Sequence, residues 1–198
     1  MKYLRHAMRH CFWTISIPAY LLLSGCAMSP HDQSSDFVKL LSLEPHPEGG
    51  YYKQTYKSEE QYTQAMLPAR YKGPRSTSTA IEFLLNKGDY STFHRLQSDE
   101  LWHFYAGGPL KLYVLMPDGQ LIIHLLGNDP HQGQVFQALA PRGSWFAAEP
   151  AVGSEYSLVG CTVSPGFDFE DFEIGSRSAL LAAFPQHAEI ITHLTRKP

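Results

Sequence analysis

Cysteine is scarce. The 198 residues contain three, Cys11, Cys26 and Cys161. Long apolar runs are also missing. The longest, Cys11–Leu23, has 13 residues, short of the roughly 20 that cross a bilayer as a helix. Charge is sparse at 18% of residues, and 43% are hydrophobic, which excludes a disordered chain and leaves enough apolar side chains for one core. Nothing is repeated or of low complexity. The length fits one domain with an appendage. Excess positive charge is lacking too, since the net charge is −3. The first 25 residues hold Lys2, Arg5 and Arg9 and no acid, so the remainder carries −6. That balance argues against a nucleic-acid partner.

The basic start, the apolar run and the sequence "LSGC" at Leu23–Cys26 resemble a secretory signal ending in a bacterial lipobox. On that resemblance residues 1–25 are a signal peptide, Cys26 is lipidated, and residues 26–35 are a polar tether. The protein would sit on the periplasmic face of a membrane, and Ala27 suits the outer one. Cys161 would then be the one cysteine left, and packing alone would hold the domain together. A true start at Met28 is the alternative and implies a cytoplasmic protein.

Residues 36–198 read as a domain of short strands. Ser34 or Ser35 is expected to cap a short helix over Asp36–Leu41. "EPHPEGG" cannot be helical, because it holds two prolines and a glycine pair. Strands are expected at Tyr51–Tyr56, Arg75–Leu85, Pro109–Pro117, Gln120–Gly127, Val135–Leu139, Ser144–Ala148 and Ser157–Ser164, and a loop at Glu59–Pro74. Asp118-Gly119 marks a tight turn. A closing helix is expected from Pro185, with Ile190, Ile191 and Leu194 on its buried stripe. Strands without crossover helices imply an all-β sandwich or barrel with short N- and C-terminal helices.

The most informative stretch is Gly88–Gly107, "GDYSTFHRLQSDELWHFYAG". Its alternating runs Tyr90–Leu96 and Glu100–Tyr105 are expected to form a hairpin through Gln97-Ser98-Asp99. Thr92, His94 and Leu96 share one face, and Glu100, Trp102 and Phe104 share another. If the faces coincide, a histidine and a carboxylate lie among apolar neighbours. That makes either a ligand site or a buried pair that needs partners.

Gly88, His94, Glu100 and Gly107 match the first cupin motif, G-x5-H-x-H-x3-E-x6-G, except that Leu96 stands at its second histidine. The stretch "FHRLQSDELWHFYAG" is more narrowly similar to a cupin branch labelled a domain of unknown function, and the likeness runs from Leu43 to about Ala182. The resemblance implies a double-stranded β-helix, the cupin jelly roll, with a small-molecule pocket and a homodimer as the expected assembly. Cupin metal sites take a further histidine from a second motif, which here reads Pro141 to Phe146, with Phe146 in the histidine's place. Only His94 and Glu100 remain as donors, so a divalent metal is expected to be weakly held or absent.

Metal-free proton transfer is the favoured chemistry, as in sugar isomerases and epimerases that pair a base with a tyrosine acid. His94 would be the base, oriented by Glu100. Tyr105, Tyr113 and Tyr156 are the candidate acids, with Tyr105 placed first. Phe83, Trp102, Phe104, Trp145 and Phe146 would wall the pocket, although such rings also fill cores. The alternatives are a non-catalytic ligand-binding cupin, a weak metal-dependent oxygenase, and a purely structural His94–Glu100 pair. His103 and Arg95 are expected on the outer face. Arg75 is weighed as an anion contact and Cys161 as an inert buried thiol. Asp168, Glu170, Asp171 and Glu173 are expected in a solvated loop or a pocket lid.

Overall fold

The computed structural model describes residues 30–197. The leader, Cys26 and Met28 lie outside the described residues. Among the described residues no helix is long and apolar enough to cross a membrane.

Helix α1 spans Pro30–Leu40. It therefore starts earlier than the serine caps suggested, and the second half of the expected tether is helical. Proline suits a first helical position, where its missing N–H costs nothing. Strands β1 (Glu44–Pro45) and β2 (Tyr51–Lys57) follow. The expected loop over residues 59–74 contains β3 (Gln61–Tyr62), which pairs with β4 (Arg75–Ser76). Tyr71, within that loop, is buried. Next come β5 (Thr79–Asn86), β6 (Ser91–Arg95), β7 (Asp99–Gly107), β8 (Leu110–Leu115) and β9 (Leu121–Leu126). The last strands are β10 (Gln137–Ala140), β11 (Trp145–Pro150), β12 (Tyr156–Ser164) and β13 (Glu173–Ile174). Two short helices close the chain, α2 (Arg177–Ala183) and α3 (Ala188–His193). Ile191 and Leu194 are fully buried, as the stripe predicted.

Two sheets face each other. One has the order β1-β2-β5-β12-β7-β10, the other β13-β6-β11-β8-β9. This is the jelly-roll sandwich expected from the strand pattern. The turn at Asp118-Gly119 joins β8 to β9 in antiparallel register, with Gly119 at φ 88°.

The expected hairpin at Gly88–Gly107 does not form. β6 and β7 lie in different sheets. The link at Gln97-Ser98 is a corner. The Ser98 hydroxyl donates to the Pro165 carbonyl at 2.7 Å and lies 2.8 Å from the Tyr71 hydroxyl. Alternation gives the same pattern for a hairpin and for a corner, so only these distant partners decide between them.

The main core fills the space between the sheets and includes Phe83, Leu85, Trp102, Leu112, Phe146 and Val159. Burying each such side chain contributes about 1.5–3 kcal/mol. The helices cover the outer faces. α2 and α3 place Leu180 and Ile191 on Phe93 and Leu115. Phe37 and Val38 of α1 cover Leu84 and Leu158. Strand β5 is therefore apolar on both faces at its C-terminal end, which explains the run Phe83-Leu84-Leu85.

Candidate functional site

A cavity of about 400 Å³ opens between the sheets. The inner faces of β2, β5, β7 and β12 form its floor, and β6, the β1–β2 link and the segment from Phe167 to Phe172 form its walls.

The β1–β2 link carries the residue that organises the site. Gly49 and Gly50 adopt φ of 116° and 70°. A side chain at Gly49 would run into the Tyr90 carbonyl, and one at Gly50 would meet the Leu84 carbonyl. The glycine pair lets the backbone turn tightly against the sheet. The Thr92 amide donates to the Glu48 carbonyl at 3.0 Å and pins the link to β6. Glu48 is thereby driven inward and is buried.

Glu48 Oε1 accepts from the Ser91 hydroxyl at 2.9 Å. Oε2 lies 3.3 Å from His94 Nε2 and 3.3 Å from His46 Nδ1. His94 Nδ1 is 2.8 Å from the Thr92 carbonyl, which can only accept, so Nδ1 carries a hydrogen. Nε2 then faces the carboxylate. Burial pushes the Glu48 carboxyl up, but His94 and His46 hold it, on balance, below its ordinary value. Burial also draws the His94 imidazole down, against the charge of Glu48 and the Thr92 carbonyl. The Phe146 ring packs on His94 at 4.2 Å between centroids.

His46 differs from His94. Its Nδ1 lies 3.3 Å from the Glu48 carboxylate and 3.4 Å from the Glu48 backbone nitrogen, whose N–H points at it, and the two contacts ask for opposite tautomers. The charged oxygen is the stronger partner, which puts the hydrogen on Nδ1. Nε2 makes no hydrogen bond among the described residues, and the ring borders the cavity. Tyr52, Phe169 and Phe172 hold it at 4.5, 6.2 and 5.9 Å between ring centroids.

Glu100 enters from β7, opposite Val163 of β12 and Ala140 of β10. Burial, and then the charge of Glu48, push its carboxyl up to about 8. The Trp102 indole N–H, donating at 3.1 Å, offsets only part of this. Cys161 also borders the cavity, and burial keeps its thiol protonated. The site thus holds one carboxylate kept ionised and one carboxyl kept neutral.

The expected site is partly reassembled by these contacts. His94 and Glu100 both face the cavity. Tyr105 does not. It is the extra residue where the β7–β12 register shifts, it is 55% exposed, and it lies over Gly160. Tyr113 donates to Glu149 at 2.8 Å and Tyr156 to Gln33 at 3.4 Å, both away from the cavity. The tyrosine that does border it is Tyr52. The five expected wall aromatics do not border it either. Phe83, Trp102 and Phe146 are core residues, Phe104 packs against that core, and Trp145 lies beneath Arg95 in the cluster under α2 and α3. The aromatic wall comes instead from Tyr52, Phe167, Phe169 and Phe172.

Two arginines are already occupied. Arg75 holds Asp171 at 2.7 and 2.8 Å and Glu170 at 3.3 Å, so it ties the wall segment down rather than waiting for an anion. Asp171 is buried by this, not solvated. Arg95 pairs with Glu173 at 2.8 Å. His103 bonds Thr162 and Gln137 at the outer face.

A metal does not fit the residues present. Leu96 and Phe146 occupy two ligand positions, and both nitrogens of His94 are engaged. Among the described residues no three His, Cys, Asp or Glu side chains converge suitably for an ion.

Sequence reading missed His46 and Glu48. The available signal was the glycine pair after "HPE", because a backbone that tight must press its neighbours against the sheet.

The chain resembles several proteins. The protein SO0799 from Shewanella oneidensis is 43% identical, with a TM-score of 0.73 over 83% of this chain and 98% of that one. A hypothetical protein from Leishmania major is 34% identical, with a TM-score of 0.74 over 82% of this chain and 98% of that one. The uncharacterized protein YML079W of Saccharomyces cerevisiae is 31% identical over 153 residues, 72% of this chain and 75% of that protein. The family model described as "Cupin superfamily (DUF985)" matches residues 35–175. With that match added to the jelly-roll sheets and the inward-facing His94 and Glu100, the chain belongs to the DUF985 family of the cupin superfamily.

Proposed function

We propose that the cavity binds a small carbonyl compound of the sugar type and isomerises it by metal-free proton transfer. The observation that carries this reading is a pair of buried carboxyls in one cavity with unlike surroundings, Glu48 between His46 and His94, which favour its ionised form, and Glu100 without such a partner, where burial favours the neutral form. Acid and base roles in enzyme sites are set by such splitting.

The base role passes from His94 to His46. Both nitrogens of His94 are occupied, whereas His46 Nε2 is open and its Nδ1–H is held by Glu48. A carboxylate fixing one imidazole nitrogen so that the other can take a proton is the logic of catalytic triads. His46 Nε2 would take a proton from the carbon beside the carbonyl while the Glu100 O–H protonates the carbonyl oxygen. The His46 imidazolium then gives its proton to the former carbonyl carbon while the hydroxyl on the neighbouring carbon gives its proton to the Glu100 carboxylate, so the carbonyl moves by one carbon, both groups are reset and the product is an isomer. Glu100 replaces tyrosine as the acid, and His94 positions Glu48.

The test is exchange in D₂O. A panel of aldoses and ketoses is incubated with the protein, and carbon-bound deuterium is read by NMR. Exchange is expected in the wild type and should fall at least about a hundredfold in His46→Gln and in Glu100→Gln. Exchange that survives His46→Gln would remove the base assignment. No exchange across the panel would favour the second reading, non-catalytic binding, which the full engagement of His94 supports. A metal-dependent oxygenase is disfavoured, because Leu96 and Phe146 leave the donor set incomplete.

The lipid anchor on Cys26, export to the outer membrane and a homodimer remain part of this proposal. They rest on the lipobox and the cupin resemblance.

A further inference from the structure

We infer that the cavity selects by charge, admitting uncharged or cationic molecules that bring hydrogen-bond donors and turning away anions, nucleotide diphosphates included. The inference rests on the reading of this cavity as a ligand site. It concerns what can enter, whatever reaction follows.

The first observation is the balance of side chains around the cavity. Four carboxyl groups border it, from Glu44, Glu48, Glu100 and Asp168, against one ammonium, from Lys57. Both histidines at the wall face the same Glu48 oxygen. Glu44 and Lys57 are exposed at the rim, while Asp168 is half-buried in the wall segment. Even with Glu100 neutral, an entering anion meets more negative than positive charge. Clefts lined by one sign enrich the opposite sign and deplete their own.

The second observation is that the usual holders of phosphate are spent. Phosphate recognition needs bidentate guanidinium, ammonium or free backbone N–H groups. Arg75 is buried, and Asp171, Glu170 and the Pro74 carbonyl engage each of its three nitrogens. Arg95 lies on the outer side with Glu173 and Trp145. Two amides of the wall segment are taken. The Asp168 carboxylate takes the Glu170 N–H at 2.9 Å, and the Thr79 hydroxyl takes the Phe167 N–H at 2.9 Å. Carboxyl groups outnumber cations around the cavity, so a ligand that brings donors, as sugar hydroxyls or amines do, meets acceptors there.

The test needs no known ligand. Gln54 is exposed and borders the cavity, and Val152 is exposed outside the set of residues that border it. Gln54→Cys and, as a reference, Val152→Cys are made in the full chain. Each is treated with methanethiosulfonate reagents bearing a trimethylammonium, a sulfonate or a neutral methyl group. Peptide mass spectrometry gives the rate at the introduced cysteine, so the native cysteines do not interfere.

The cationic-to-anionic rate ratio at position 54, divided by that at position 152, is expected to exceed about three at low salt and to collapse toward one at high salt. Adding Asp168→Asn and Glu44→Gln should lower it. UDP-glucose at millimolar concentration is expected to give no protection against the neutral reagent. A normalised ratio at or below about three at low salt, or protection by UDP-glucose, would overturn the inference. Either result leaves the deuterium-exchange outcome untouched, so the two readings fail separately.

Discussion

Glu48 Oε2 lies 3.3 Å from His94 Nε2, with both side chains buried. Glu48 comes from a glycine-rich link and His94 from β6, so the contact ties the N-terminal segment to the five-stranded sheet. The base role proposed for His46 depends on this carboxylate staying ionised.

Replacing Glu48 by Gln removes the charge that both histidines face. Breaking a buried pair in this way leaves unmatched groups and should cost about 3 kcal/mol. The pH dependence has a definite sign. The Glu48 carboxyl is held below its ordinary value of 4.5, so its contribution is present above that value and is lost as pH falls through the folded one. Urea titrations from pH 3 to 7 should show a flatter acid limb in Glu48→Gln than in wild type. An equally steep limb would show that Glu48 is not held ionised.

Glu100 has the opposite sign. Its folded value of about 8 exceeds the ordinary 4.5, so between those values the unfolded chain gives up a proton that the folded chain keeps. Stability attributable to this residue therefore falls as pH rises through that window and levels off above about 8. Glu100→Gln mimics the neutral acid and should gain on wild type across the same window, by at most on the order of 5 kcal/mol. Parallel stability curves would mean that Glu100 ionises normally.

Gly49→Ala tests the link that carries Glu48. It forces a side chain onto φ 116° and against the Tyr90 carbonyl. The loss should be about 2 kcal/mol or more. The same variant should also lose the Glu48-dependent acid limb, because Glu48 moves with the link. Thermal melts at neutral and acid pH check both points.

Arg75→Ala leaves Asp171 buried without its guanidinium. A loss of about 3 kcal/mol is expected, with loosening of the wall segment that bears Phe169 and Phe172. Hydrogen exchange should rise in residues 167–174 while β8 and β9 stay protected. Uniform exchange would mean that the segment is held by its rings rather than by the ion pair.

The N-terminal proposal is checked in cells. If Cys26 is lipidated, the full chain should partition with membranes and Cys26→Ser should release it, read by detergent-phase separation. Light scattering of the released protein should give twice the chain mass if the homodimer forms. A soluble wild type would favour the start at Met28.

Some of this was legible in the sequence. Period-two alternation, Asp118-Gly119 and the lack of crossover helices specify an antiparallel sandwich, since side-chain direction in a strand follows from backbone pleat alone. His94 and Glu100 were legible because alternation puts both on inward faces, and Cys161 because its neighbours are apolar. Leu96 and Phe146 already showed that the cupin ligand set is incomplete. What only tertiary structure decided is everything that depends on partners distant in the chain. Ser98 turns a corner because Pro165 and Tyr71 receive it. Tyr105 faces out because β12 forces a bulge. Phe83, Trp102 and Phe146 fill the core because the two sheets close on them, which leaves the wall to Tyr52 and the Phe167–Phe172 segment. His46 and Glu48 reach the cavity because Gly49 and Gly50 let their link lie against the sheet. Periodicity is a local property of the backbone, but the assembly of a site is a matter of long-range packing, and no local pattern encodes it.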